Sequence, residues 1–305
     1  MLNLGLTIKN MKRNFITLSL SLFIFIQLSC NKNKTIAITD LKVLTYNVAG
    51  LPELFSSSKP TLYTTEISKL INEYDVVHVQ EDFCYHDSLL LYNKHPHKTE
   101  TLGCIPAGDG LNTLSYFPIQ NFKRIKWNDC ADTDCLTPKG FSYSQIEIYP
   151  GVTVDFYNVH ANAQSYEEAL AARRKNITQL CAYIAENSAD KPVVIMGDMN
   201  CRYTREGDNI REVLALGFSD SWIELIRKGD IPAQGADALT DCNTVKTSTT
   251  CEKVDKIFYR SSPKVNITPT YFQMDDDRYY YNGNDTLPLS DHYPVLTKLK
   301  FEIKE

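Results

Sequence analysis

The sequence predicts an α/β fold in which two mixed sheets pack face to face with helices outside. Apolar, β-branched runs of strand length alternate with amphipathic stretches in the first half of the chain. Between residues 112 and 159 strand-like segments follow one another without a helix, the pattern of antiparallel hairpins rather than of a single parallel sheet. With 305 residues and 43% hydrophobic content the chain can bury one large core, and no repeat, low-complexity tract or long linker divides it.

Strands are expected near 41–47, 76–80, 112–116, 122–127, 141–149, 152–159, 192–197, 254–259, 265–272 and 294–303. The clearest helical periodicity runs from Tyr166 to Glu186. There Ala169, Ala172, Ile177, Leu180, Cys181 and Ile184 recur at intervals of three and four, with Arg173, Arg174 and Lys175 between them. Leu62–Glu73 fits a second helix, and Asn209–Ala215 a short third before Gly217.

The N-terminus reads differently from the body. Lys12-Arg13 precede an apolar stretch, Phe15 to Leu28, that is too short for a spanning helix of ~20 residues and ends at Ser29-Cys30. Residues 1–30 are therefore expected to be an export signal. A cysteine at its end, followed by polar Asn31-Lys32-Asn33-Lys34, resembles a bacterial lipoprotein signal, although Gln27 and Leu28 depart from the usual lipobox. On that reading Cys30 carries a lipid that anchors the protein to a membrane, facing periplasm or cell exterior. A polar linker 31–37 would then lead into one domain, 38–305, and the translation start is either Met1 or Met11.

The chain has nine cysteines. With Cys30 lipidated, an even number remains, which in an exported chain favours disulfides. Cys130 with Cys135 and Cys242 with Cys251 are plausible local closures among polar turn residues, and the remaining connectivity stays open. Zinc fits poorly, because these spacings lack Cys-x-x-Cys and no histidine sits beside either pair. A formal net charge of −5 argues against a protein that grips long nucleic acid through many phosphates, without excluding a nuclease with a local basic strip.

Chemistry-bearing residues collect where strands end. Val43-Leu44-Thr45-Tyr46 runs into Asn47, Val76–Gln80 into Glu81, Val152–Val159 into His160, and Pro192–Met196 into Gly197-Asp198-Met199-Asn200. Carboxylates, amides and histidines at strand ends suit a magnesium site with a general base, and open α/β folds commonly place their sites there.

Six blocks carry a family resemblance: Thr45-Tyr46-Asn47, Gln80-Glu81, Asn158-Val159-His160, Gly197-Asp198-Met199-Asn200, Asp255-Lys256-Ile257 and Ser290-Asp291-His292. In this order they resemble the endonuclease/exonuclease/phosphatase superfamily, which includes deoxyribonuclease I, abasic-site endonucleases, bacterial sphingomyelinases and inositol polyphosphate phosphatases. Longer stretches, such as Tyr46–Glu53 and Asp109–Ser115, are similar to a secreted branch found in fungi and bacteria. The resemblance implies a four-layered α/β sandwich, hydrolysis of a phosphate ester and a divalent metal, Mg2+ or Mn2+.

Residue roles follow as expectations. Glu81 holds the metal with help from Asn47 and Asp291, since magnesium keeps several waters and asks for only one or two carboxylates. His292 is the general base, oriented by Asp255. Asp198 and Asn200 position the attacking water and the phosphate, and His160 donates to a phosphate oxygen, as in the nuclease and sphingomyelinase branches. Lys139, Asn112 and Arg202 are candidate substrate contacts, with Arg205 a further one.

Three substrates are open. A lipid-borne or small phosphodiester comes first, favoured by export, the anchor, the acidic balance and His160. The only candidate for a lipid-facing segment is the aromatic run Tyr279-Tyr280-Tyr281. A secreted nuclease is second, with Lys139, Arg202 and Arg205 as its basic strip. An inositol phosphate phosphatase is third, and a non-catalytic binding protein on the same scaffold is the alternative from another class. No protein partner is implied.

Overall fold

The computed structural model describes residues 35–56, 58–236, 251–274, 277–284 and 286–304. The segment expected to be an export signal, with Cys30, the first part of the expected linker and Cys242 lie outside these residues. Residues 34–305 form one compact unit by themselves.

Among the described residues, twelve strands make two six-stranded sheets. The first sheet holds β1 (Thr35–Asn47), β2 (Val76–Gln80), β3 (His97–Lys98), β4 (Asn112–Ser115), β11 (Val265–Met274) and β12 (Val295–Lys304) in the order β11-β12-β1-β2-β4-β3. The second holds β5 (Ile119–Lys126), β6 (Gly140–Tyr149), β7 (Val152–His160), β8 (Val193–Asp198), β9 (Ser219–Asp220) and β10 (Asp255–Arg260) in the order β5-β6-β7-β8-β10-β9. Helix α1 (Pro60–Leu70) covers the outer face of the first sheet, and α3 (Glu167–Asn187) that of the second. Short helices α2 (His86–Leu90), α4 (Arg211–Ala215) and α5 (Ser221–Leu225) complete the set among the described residues. The four-layered α/β sandwich is thus the fold of this chain.

The layering follows from the two-residue period of a strand, which sends alternate side chains to opposite faces. In β1, Leu41 and Val43 enter the core shared with Phe156, Met196 and Ile257 of the second sheet, whereas Leu44 and Tyr46 turn outward to Tyr63 and Ile67 of α1. Both faces of β2 are buried, which fits its three valines, with His78 and Gln80 buried among them.

Several expectations need correction. Segments 112–116 and 122–127 read as a hairpin, but β4 pairs with β2 and β3 while β5 pairs with β6, so the chain crosses between sheets after Ser115. Strand β1 begins at Thr35, inside the stretch read as linker, because Thr35–Ile38 pair with Phe301–Lys304. Tyr279 and Tyr280 are buried rather than presented to a lipid: Tyr279 packs edge-on against Tyr46 at 5.2 Å, and Tyr281 leans on Tyr63 at 5.4 Å. Disulfide pairing is also less complete than an even count suggests. Cys130–Cys135 forms as expected, and Cys84–Cys104 was not foreseen. Cys251 is disulfide-bonded, whereas Cys181 and Cys201 are free and buried.

Candidate active site

Strand register brings the distant blocks together. Parallel pairing of β1 with β2 sets Asn47 beside Gln80, one residue before Glu81. In the other sheet, His160 of β7, Asp198 of β8 and Asp255 of β10 lie in one row across three adjacent strands. The two rows meet through Asn47, whose amide nitrogen lies 3.1 Å from Glu81 Oε1 and 3.3 Å from Asp198 Oδ2. Close packing sustains this alignment. A Cβ on Gly197 would stand 2.1 Å from the Val159 carbonyl oxygen, and one on Gly50 would stand 2.4 Å from that of Glu81.

The backbone is strained where the chemistry sits. Ala49, Glu81 and Asn200 all adopt left-handed conformations, with φ of 48°, 56° and 49°, which non-glycine residues seldom hold unless the surroundings enforce it. For Glu81 the enforcement is visible: its carbonyl accepts from the amides of Gly50 and Phe83, and Asp82 N donates to the Gly110 carbonyl.

Asp198 is the hub. Its Oδ2 lies 3.7 Å from His292 Nε2 and 3.6 Å from His160 Nε2, while Oδ1 accepts from the Asn200 amide at 2.9 Å. The other nitrogen of His292, Nδ1, pairs with Asp255 Oδ2 at 2.9 Å. Burial raises Asp198 to about 6. Burial opposes a charged His292, but the Asp255 and Asp198 carboxylates outweigh it and hold the imidazole well above its ordinary value. Burial, with Lys139 and His292 adding to it, holds His160 well below, so that ring is neutral. A neutral His160 can donate from Nε2 to an oxygen placed between Glu81, which is 3.8 Å away, and Asp198.

A divalent cation fits this donor set. Two carboxylates converge on one amide at the ends of neighbouring strands, and buried Asp198 carries a charge that its surroundings leave short of compensation. Asp198, Asp255 and His292 also bring their ligating atoms within 4.8 Å of one another.

The remaining candidates separate. Lys139 reaches the site, lining with Glu81 a cleft of about 440 Å³, and its Nζ is paired with Asp134 at 2.6 Å. Asn200 donates its side-chain amide to the Ala161 carbonyl. Arg202 is partly buried, and its Nε has no hydrogen-bond partner among the described residues. Asn112 does not face a substrate: it is buried, donates to Asp82 at 2.8 Å and accepts from Arg124 at 3.0 Å. Asp291 is exposed and borders a separate depression with Ser58, Tyr63 and Leu287. Arg205 is spent on the Asn200 carbonyl and Asp208.

Two supporting groups escaped sequence reasoning as site residues. Gln80 and Asn158 bond across the sheets at 2.7 Å beneath the site, and Ser290 donates to the Asn47 carbonyl at 2.7 Å. All three fall inside the quoted blocks, which was the available signal.

A hydrolase-type site of this construction on a two-sheet sandwich agrees with the family comparison: the model of endonuclease/exonuclease/phosphatase family 2 matches residues 32–298. The chain belongs to the endonuclease/exonuclease/phosphatase family, whose enzymes are hydrolases of the phosphodiesterase type. A sphingomyelinase of Mycobacterium tuberculosis is 36% identical over 268 residues, a stretch that covers 84% of this chain and 52% of the relative. The chain therefore spans about half the length of that relative. Among solved structures, a Staphylococcus aureus beta toxin mutant with bound magnesium ions superposes with a TM-score of 0.61 at 20% identity, covering 85% of this chain and 99% of the toxin. Sphingomyelinase C of Streptomyces griseocarneus gives 0.59 at 21% identity, over 86% of this chain and 99% of the enzyme.

Proposed function

We propose that this protein is an exported, metal-dependent phosphodiesterase that hydrolyses a lipid-borne or small phosphodiester. The observation that carries the reading is the cluster in which Asp255 holds His292 at 2.9 Å and Asp198 stands 3.7 Å from His292 and 3.6 Å from His160, with Glu81 and Asn47 beside it. Relatives named sphingomyelinase and a structural neighbour that binds magnesium support it.

In this account Glu81 and Asn47, with Asp198 alongside, hold Mg2+ or Mn2+, which when bound neutralises phosphate charge. His292 takes the proton of the attacking water at Nε2, and Asp255 fixes the tautomer by holding Nδ1–H. Asp198 orients that water, and the departing oxygen takes its proton from solvent. His160, kept neutral, donates to a phosphate oxygen, and Lys139 adds positive charge at the cleft wall. Arg202, whose Nε has no hydrogen-bond partner among the described residues, follows the Asp198 block as a further candidate for substrate contact.

A nuclease needs a basic strip, and two of its three candidates, Lys139 and Arg205, are already paired with acids. An inositol phosphate phosphatase would need denser cations still. A binding protein without turnover would have no use for an intact cluster of this kind. The N-terminal segment is read as the export signal, with lipid on Cys30.

Turnover tests this directly. Residues 34–305 are offered sphingomyelin vesicles, plasmid DNA, RNA, inositol phosphates and bis(p-nitrophenyl) phosphate, each with magnesium or with EDTA. Chelator-sensitive hydrolysis of sphingomyelin or of the small diester is expected. Cleavage confined to nucleic acid would favour the nuclease, and no turnover at all would favour a binding role.

A further inference from the structure

The three most exposed large hydrophobic side chains among the described residues are Leu54, Leu136 and Phe55, at 85%, 68% and 67% of full exposure. They gather at one place. Phe55 and Leu136 line the cleft of about 440 Å³ that has Glu81 on its wall, and Leu54 precedes Phe55 in the same turn. Leu51, Phe83 and Ile105 continue the apolar lining inward. Exposed apolar residues scattered singly need no explanation, but the most exposed ones clustered at a site mouth mark an interaction surface.

The two sides of the rim are firmly mounted. Leu136 ends a short 3-10 segment, Asp132–Leu136, closed by Cys130–Cys135 and tied down by Ala131 N donating to Asn162 Oδ1 at 2.8 Å. The facing turn is held through Gly50, whose amide donates to the Glu81 carbonyl and whose carbonyl accepts from Cys84 N.

Charge decides the occupant. Lys139 is the only basic side chain lining this cleft among the described residues, and Asp134 already pairs with it. A polyanion would meet a single cation here, one already paired with an acid, whereas an amphiphile would set its phosphate near Glu81 and Lys139 and its apolar part against Phe55 and Leu136. We propose that Leu54, Phe55 and Leu136 form a docking rim that seats the cleft on a lipid bilayer and admits a diester still embedded in it. The proposal rests on the phosphodiesterase reading above and places the lipid contact away from the buried Tyr279–Tyr280 segment.

Flotation with sphingomyelin–phosphatidylcholine vesicles tests it, using residues 34–305 in EDTA so that no substrate is consumed. The wild-type protein should float, and raising the salt should not release it. The combined variant Leu54→Ser, Phe55→Ser, Leu136→Ser should partition at least ~10-fold less, the scale expected for withdrawing large apolar side chains from an apolar phase. Because all three are exposed, its melting temperature should stay at the wild-type value. A Phe55→Trp variant should still float and show blue-shifted emission on vesicles.

Three results would overturn the proposal: a wild-type protein that does not float, flotation unaffected by the three substitutions, or self-association in the wild type that the substitutions abolish. Failure of the phosphodiesterase reading appears elsewhere, as absent turnover of every diester, and leaves flotation untouched.

Discussion

His292 Nδ1 lies 2.9 Å from Asp255 Oδ2, although the two residues stand 37 positions apart, Asp255 at the start of β10 and His292 in the loop before β12. In the proposed mechanism this contact makes the imidazole a directed base, because a carboxylate that holds one ring nitrogen fixes which nitrogen faces the water. Replacing Asp255 by Asn should lower turnover by ~100 to 10,000-fold. It should also move the acidic limb of the kcat/KM profile to lower pH, since Asp255 raises the affinity of His292 for its proton. An unmoved limb would show that His292 does not set that limb.

Glu81→Gln keeps the shape of the side chain and removes its charge. The metal concentration that gives half-maximal activity should rise by at least ~10-fold, given that even partners outside the ligand sphere change metal affinity by that much. Melting in EDTA should change little, because Glu81 is a partly exposed residue rather than a core one. Titration of activity with MgCl2 provides the measurement.

His78 lies buried in the core against Phe156, and burial lowers it to about 3. The unfolded chain takes up that proton near pH 6.5 whereas the folded one does not. Stability from this group is thus complete above pH 6.5 and declines as pH falls toward 3. Between pH 7 and pH 5 the loss should be about 2 kcal/mol, at ~1.4 kcal/mol per pH unit below 6.5. Urea unfolding of wild type and His78→Leu at both values checks it: the variant should lose about 2 kcal/mol less than the wild type over that interval.

Gly197→Ala tests the strand packing that aligns His160 with Asp198. Its Cβ would meet the Val159 carbonyl, whose backbone cannot yield without parting β7 from β8. A stability loss of roughly 1–3 kcal/mol is expected, together with impaired turnover at temperatures where the variant is folded. Thermal melts and rates at low temperature separate the two effects.

Much of this was legible in the sequence, for identifiable reasons. Strands such as 76–80 and 192–197 announce themselves because both faces are buried and every residue must be apolar or paired. The ends of those strands named Asn47, Glu81, His160 and Asp198, since parallel neighbours in register deliver their last residues to one edge. What failed depended on contacts between remote segments. Asn112 was read as a candidate substrate contact, yet Arg124 of the other sheet and Asp82 enclose it. Asp291 was drawn into the metal site by its neighbour His292, but adjacent residues in a loop point different ways. The tyrosine run was taken for a surface, because nothing local reveals that Tyr46 and Tyr63 lie against it. Conversely, Leu54, Phe55 and Leu136 carry no sequence signal of exposure.

The central claim is that a bound divalent ion and the His292–Asp255 pair act together on one water. Sphingomyelin hydrolysis should be followed for wild type and His292→Ala, each in magnesium, in EDTA, and in EDTA with magnesium restored in excess. The account predicts that wild type stops on chelation and recovers with the metal, and that His292→Ala stays ~100 to 10,000-fold slower throughout. Hydrolysis by wild type that continues undiminished in EDTA, or a His292→Ala rate equal to wild type, would contradict it.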